Sequence, residues 1–161
     1  MLKIKLITTG ALSETHWKDA CREYEKRLGA YCSFSAVTFK EARLPKEPRP
    51  ADVAAALDEE AARILDAIAP RALVIALCVE GKAYSSPELA ELFESAATRG
   101  VSEIDCVIGS AYGLSPTVKS RADVKLSLSA LTLPHQLARV VFEEAVYRAL
   151  DIARGGKYHK A

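Results

Sequence analysis

The chain has 161 residues, half of them hydrophobic and 27% charged, the profile of one globular domain large enough to bury its own core. A net charge of +1 excludes a protein that binds polyanions through overall charge, so any nucleic-acid surface has to be local. Charges interrupt every apolar run before the roughly 20 residues a membrane span requires, and Cys21, Cys32, Cys78 and Cys106 lack the C-x-x-C spacing of a zinc or redox site.

Met1 to Lys5 reads as a strand from the outset and carries no signal-peptide cleavage pattern. Cys78 and Cys106 fall inside apolar strand-like runs, where cysteine packs as a small hydrophobe. A reduced, cytoplasmic compartment is expected, with no metal site and no membrane contact. Residues 2–9 alternate as a first strand ending at Gly10. Ser13 to about Leu28 is predicted helical, with Trp17, Ala20, Cys21, Tyr24 and Leu28 on one stripe; the two aromatics suit either recognition or plain core packing. Ser33 to Phe39 is a second strand. Lys40 to Pro50 holds three prolines and six charges, a surface loop whose four bases against two acids leave a modest basic patch.

Asp52 to Ile68 is predicted as a long helix with Val53, Ala56, Leu57, Ile64 and Ile68 on its apolar face. Ala72 to Val79 is a nearly unbroken apolar strand, the kind buried on both faces of a parallel sheet, and Glu80-Gly81-Lys82 is expected to break it. A helix then opens at Ser85-Ser86-Pro87-Glu88 and stops at Gly100; Ser85 and Glu88 have capping-box spacing, and Pro87 makes Ser86 an equally good cap. Ile104 to Ile108 and Val124 to Leu128 are the fourth and fifth strands, separated by a short helix opening at Ser115-Pro116. Pro134 to Ala153 is the last helix, closed by Gly155-Gly156. This alternation implies an α/β domain with a mainly parallel sheet flanked by helices, and periodicity alone suggests a doubly wound one.

Ligands of such sheets sit beyond the carboxyl ends of the strands. Three strand ends share one character, Leu77 to Lys82, Gly109 to Gly113 and Leu128 to Pro134, each a glycine-bearing or small-residue turn after an apolar strand. Gly109 and Gly113 do not make a phosphate-cradling glycine motif, and no Lys or Arg lies between Cys106 and Thr117, which argues against a triphosphate. No charge lies from Ser127 to Pro134, so backbone groups and small hydroxyls are offered among aliphatic walls. A neutral base joined to a zwitterionic amino acid, as in S-adenosylmethionine, suits these loops better. Each glycine taken alone is equally well explained as a tight turn.

Trp17 to Leu28 (W-K-D-A-C-R-E-Y-E-K-R-L), Val107-Ile108-Gly109 with Gly113-Leu114, Leu126 to His135 (L-S-L-S-A-L-T-L-P-H), Val146-Tyr147-Arg148-Ala149 and Lys157-Tyr158-His159-Lys160 occur together and in order. Over essentially its full length the chain resembles the small SPOUT methyltransferases that methylate N3 of a pseudouridine in large-subunit ribosomal RNA. The resemblance implies one SPOUT domain over 1–161, a trefoil-knotted α/β fold with knot and cofactor loops in about 72–161, a homodimer, and S-adenosylmethionine held by the knot loops. It places cofactor contacts at Leu77, Gly109, Leu128, Ser129, Ala130, Leu131, Thr132 and Leu133. Two positions depart from the family pattern: a glycine is usual where Ser110 stands, so Ser110 has to avoid strongly positive φ, and an acid often stands in place of Cys78. Glu80 is a candidate for that missing charge, or a solvated turn residue.

N3 of a pseudouridine must lose a proton before it accepts a methyl group, so a base or a stabiliser of the developing anion is useful. Arg148 suits the second role as a permanent cation and also has the spacing of an i,i+4 pair with Glu144. The tail carries Arg154, Lys157 and Lys160 with Tyr158 and His159, a composition suited to phosphates and a stacked base, or to a frayed end. With the resemblance, Arg148, Tyr158 and His159 are the expected catalytic residues. His135, following a helix-opening proline, is expected to be structural. The apolar residues of the last helix cover more than one face, which favours a dimer contact. Three readings stand: a methyltransferase acting on ribosomal RNA in assembled ribosomes, one acting on another RNA such as transfer RNA, and a non-catalytic assembly protein.

Overall fold

The computed structural model describes residues 1–160. Five strands, β1 (Lys3–Thr9), β2 (Ser33–Phe39), β3 (Leu73–Ala83), β4 (Glu103–Ile108) and β5 (Val124–Ser127), form one sheet in the order β2-β1-β4-β3-β5. Every pairing is parallel. The helices are α1 (Thr15–Leu28), α2 (Pro50–Ala67), α3 (Ser86–Thr98), α4 (Pro116–Arg121) and α5 (His135–Ala153).

Period-two alternation in the central strands divides the core into two layers. Ile4, Leu6, Ile75, Ile104 and Cys106 pack with Phe93 of α3 and Phe142 and Val146 of α5 on one face. Ile7, Val74, Ala76 and Val107 pack with Ile64 of α2 and Val118 of α4 on the other. Helices therefore cover both faces, the condition under which a parallel sheet is stable. Among the described residues no helix is long and apolar enough to cross a membrane. The opening of α3 resolves in favour of Ser85, whose hydroxyl accepts from Glu88 N–H while the Glu88 carboxylate accepts from Ser85 N–H.

The expected break at Glu80-Gly81-Lys82 is absent. β3 continues to Ala83, but with a register jump: Leu77 and Lys82 are both opposite Leu126 of β5. Residues 78–81 are the excess length, a bulge at the strand's carboxyl end. Gly81 is required there, because a Cβ would lie 2.7 Å from the backbone carbons of Lys125 and Leu126. An extra strand turn is thus held against β5 by main-chain contact that residue patterning does not reveal.

One buried charged group ties α5 to α1. Arg139 Nε donates to Glu143 at 3.0 Å and its Nη2 donates to Glu25 of α1 at 3.1 Å, with Glu143 fully buried. Burial pushes the Glu143 carboxyl up to about 7, against the opposing pull of Arg139. A carboxyl that holds its proton more tightly when folded supports the fold below its ordinary value and withdraws that support as pH rises through 7. Glu143→Ala leaves the buried guanidinium with Glu25 alone and is expected to cost about 3 kcal/mol, read as a lower urea midpoint. An unchanged midpoint would contradict this.

Candidate active site

The carboxyl ends of β3, β4 and β5 converge on a cleft of about 260 Å³. Leu77 and the bulge residues Cys78, Val79 and Glu80 form one wall, Gly109 to Gly113 a second, and Leu128, Ser129 and Leu131 to Leu133 a third. Seven of the eight expected cofactor positions line it; Ala130 does not. Three of the four most exposed large hydrophobics, Val79, Tyr112 and Leu131, stand on these walls. Apolar surface concentrated around a concavity marks a place where something binds.

The Gly109 wall is a tight turn. Gly113 N–H donates to Ser110 C=O at 2.9 Å, and Gly113 supplies the positive φ of +85°. Among the described residues no non-glycine has positive φ, so Ser110 satisfies the condition its substitution imposed. Its hydroxyl instead donates to Glu60 of α2 at 2.9 Å. Gly109 is packed against its own turn, for a Cβ would stand 2.2 Å from Gly113 O. The third wall is set by serines: Ser127 Oγ donates to Ser129 C=O at 3.1 Å, and Ser129 Oγ accepts from Leu131 N–H at 3.0 Å.

Charge enters the cleft as one pair. Lys119 of α4 forms a salt bridge with Glu80, and its ammonium holds the Glu80 carboxyl below the usual range. Burial pushes the Cys78 thiol up, so Cys78 supplies no charge in the place of an acid. His135 also lines the cleft. Among the described residues no group of three or more His, Cys, Asp or Glu side chains is placed to hold a metal ion.

Arg148, Tyr158 and His159 come together, but elsewhere. The Arg148 guanidinium stacks 4.6 Å from the Tyr158 ring, bonds Glu144 through Nε at 3.0 Å, and places Nη1 3.3 Å from His159 Nδ1. Tyr158 donates its hydroxyl to Glu144 at 3.0 Å and its backbone N–H to Asp151 at 3.0 Å, and packs edge-on against Tyr147. Burial, followed by that bond to Glu144, pushes the Tyr158 phenol up to about 12. The tail is thus folded back on α5 rather than frayed. The 13 residues from His135 to Arg148 span about 20 Å of helix, so cleft and cluster are far apart in one chain.

A family model described as "Predicted SPOUT methyltransferase" matches residues 2–159. The chain belongs to the SPOUT methyltransferases. A curated relative from Streptococcus thermophilus (strain CNRZ 1066), named "Ribosomal RNA large subunit methyltransferase H", is 43% identical over 159 residues, covering 99% of this chain and 100% of its own. A relative of the same name from Streptococcus pyogenes serotype M18 (strain MGAS8232) is 42% identical with the same coverage. Among solved structures, a probable methyltransferase from Bordetella pertussis Tohama I aligns with a TM-score of 0.59 at 19% identity, over 92% of this chain and 96% of its own. A probable methylase family protein from Haemophilus influenzae Rd KW20 aligns at 0.57 and 18%, over 99% and 70%. At those identities the likeness is one of fold. This SPOUT chain is accordingly a methyltransferase, with a five-stranded parallel sheet in a single domain.

Two polar residues at the site were not singled out by motif. Nothing in spacing marks Lys119. Glu60 did leave a signal, since Ala56, Glu60 and Ile64 fall on one helical stripe and an acid among buried apolar positions needs a partner.

Proposed function

We propose that this SPOUT methyltransferase moves a methyl group from S-adenosylmethionine to N3 of a pseudouridine in large-subunit ribosomal RNA, acting on assembled ribosomes as a homodimer. The observation that carries the reading is the cleft: apolar walls with small hydroxyls suit a flat base, and the Glu80–Lys119 pair suits the ammonium and carboxylate of an amino acid. The relatives' printed names supply the ribosomal RNA target. The trefoil knot belongs to the same reading.

When bound there, S-adenosylmethionine supplies an electrophilic methyl on a sulfonium. The chain's own task is to align the nucleotide and favour its N3 anion. A guanidinium has only donors, so the Arg148 contact assigns His159 Nδ1 as acceptor and leaves Nε2–H free to donate. Tyr158 keeps its proton and donates it in a hydrogen bond to Glu144. The Arg148 charge is balanced by Glu144, so what the cluster offers is N–H donors, a stabiliser of a developing anion rather than a base.

Such a cluster serves a cleft only if it reaches one. Leu137, Val140 and Val141 of α5 are half-buried and outside both core clusters. Antiparallel pairing of two α5 helices centred near Val141 sets Arg148 level with Pro134 of the partner subunit, which closes the 20 Å gap. Light scattering at micromolar concentration is expected to give twice the 17.4 kDa chain mass. Val141→Asp should yield a monomer without methyl transfer, because a buried charge at the contact is costly. A monomeric wild type would sink the shared site.

The function is tested with labelled S-adenosylmethionine offered to ribosomes lacking the modification, to naked ribosomal RNA and to transfer RNA, followed by mass mapping of nucleosides. Methylation of pseudouridine in ribosomes above the naked RNAs is expected. Preferred methylation of transfer RNA would replace the substrate, and no transfer to any RNA would leave only a binding role.

A further inference from the structure

The loop between β2 and α2, Lys40 to Arg49, is an arm built against the cleft. Its carboxylate anchor is Glu60, which is buried and accepts from Ala42 N–H at 3.2 Å and from Ser110 Oγ at 2.9 Å. One carboxylate thus ties the arm to the Gly109–Gly113 wall. Leu44 packs in a small depression that it shares with Ser110 and Tyr112. On its other side the arm and the start of α5 both crowd Gly10, where a Cβ would lie 2.7 Å from Glu41 Oε1 and 3.0 Å from His135 Nε2. Arg63 of α2 fixes the base of the arm by donating to Lys40 C=O at 2.9 Å.

The charges on this arm are unevenly committed. Arg49 is paired with Asp52. Arg43 and Lys46 are exposed and form no ion pair among the described residues. Pro45 and Pro48 stiffen the backbone between and beyond them, so presenting two cations costs little conformational entropy. Cations held beside a catalytic cleft by a buried tether, on a chain of net charge only +1, are placed for a polyanion that enters there.

We propose that the Lys40–Arg49 arm grips the phosphates of the RNA strand flanking the target nucleotide, through Arg43 and Lys46. This rests on the RNA methyltransferase reading and assigns part of its substrate surface to the same chain that forms the cleft. The arm contacts backbone and not base edges, so it adds affinity and register without sequence choice.

The test compares Arg43→Ala/Lys46→Ala with Arg71→Ala/Arg99→Ala, which removes equal charge from exposed residues preceding β3 and β4, at the opposite end of the sheet. Methyl incorporation into ribosomes lacking the modification is measured across a salt series, alongside binding of a fluorescent single-stranded RNA. The arm variant is expected to raise the ribosome KM and the RNA Kd about tenfold and to flatten the log–log salt slope by about 1.4, two phosphates at roughly 0.7 each. Its kcat and its S-adenosylmethionine affinity should stay within about twofold, a split that misfolding does not produce. The Arg71/Arg99 variant should match wild type. Unchanged KM, Kd and slope in the arm variant, or equal losses in both variants, overturn the arm. If wild type transfers no methyl but the arm variant still weakens RNA binding, the arm stands and the methyltransferase reading falls. If wild type neither binds nor methylates RNA, both fall.

Discussion

Gly109→Ala is expected to abolish measurable S-adenosylmethionine binding, a loss of at least about 100-fold by calorimetry. One added methyl group is enough because the space is taken by main chain: the Cβ would stand 2.2 Å from Gly113 O, 2.6 Å from Gly113 C and 2.9 Å from Leu114 Cδ2. Neither neighbour can swing away. Gly113 is bridged to Ser110, and Leu114 is buried against Val118 and Ile64. The turn has to open, and Ser110 then leaves Glu60, so the whole wall of the cleft moves. Gly113→Ala is the contrast. Nothing lies within 4 Å of its Cβ, and only the strain of a positive φ opposes it, about 1–2 kcal/mol. Far-UV dichroism should stay native in both variants, and Gly109→Val should do no less damage than Gly109→Ala. Full affinity in Gly109→Ala would move the donor site away from this cleft.

The reason for Gly109 is itself instructive. A glycine in this loop suggests close approach of backbone to ligand, whereas the closest atoms belong to Gly113 and Leu114 at the loop's own end. Spacing makes the glycine visible but is silent on what presses against it. Elements set by local periodicity were legible for the same reason that they are stable locally: β2 begins and ends where alternation does, and α3 is capped where Ser85 and Glu88 allow. The bulge in β3 was not, because it arises from a register jump against β5, some 45 residues on, and the local signal of Glu80-Gly81-Lys82 is that of a stop. Ser110 was readable as a departure but not as a compensated one; its partner Glu60 lies 50 positions earlier. The three cleft walls were found as strand ends because a parallel sheet sends all its carboxyl ends to one side.

The geometry leaves the candidate chemistry divided between two ends of α5. His135 at its start lines the cleft, and Arg148 near its end carries the tail cluster. Between them the helix is mostly apolar, and the buried Glu143 there is bonded by Arg139, which also reaches Glu25 of α1. On the proposed homodimer such a helix would set the distance between two half-sites, and pairing of two copies would join them.

Deleting the tail after Gly156 is therefore expected to lower methyl transfer at least about 100-fold while S-adenosylmethionine affinity stays within about threefold, since none of the described tail residues lines the cleft of its own chain. Some stability should go as well, which the glycines and polar composition alone do not suggest. Tyr158 is half-buried against Tyr147, and its N–H serves the buried Asp151, which keeps only the Tyr31 hydroxyl and Gly156 contacts once the tail is gone. Loss of one such bond is worth about 1–2 kcal/mol, visible as a lower urea midpoint but too small to unfold the domain. Point variants divide the roles. His159→Ala should lower kcat with cofactor affinity unchanged, because it removes the N–H donor that Arg148 orients. Tyr158→Phe keeps the ring under Arg148 and frees Glu144 of one donor, so its effect should be smaller than that of His159→Ala. Lys157→Ala with Lys160→Ala should leave kcat in place, raise the ribosome KM and flatten its salt dependence. Mixing the deleted protein with an inactive Gly109→Val full-length partner supplies the decisive arm. If the tail of one copy serves the cleft of the other, mixed dimers pair an intact tail with an intact cleft and recover activity. Restoration to less than a tenth of the wild-type rate, with mixed dimers shown to form, would place the tail's action within its own chain.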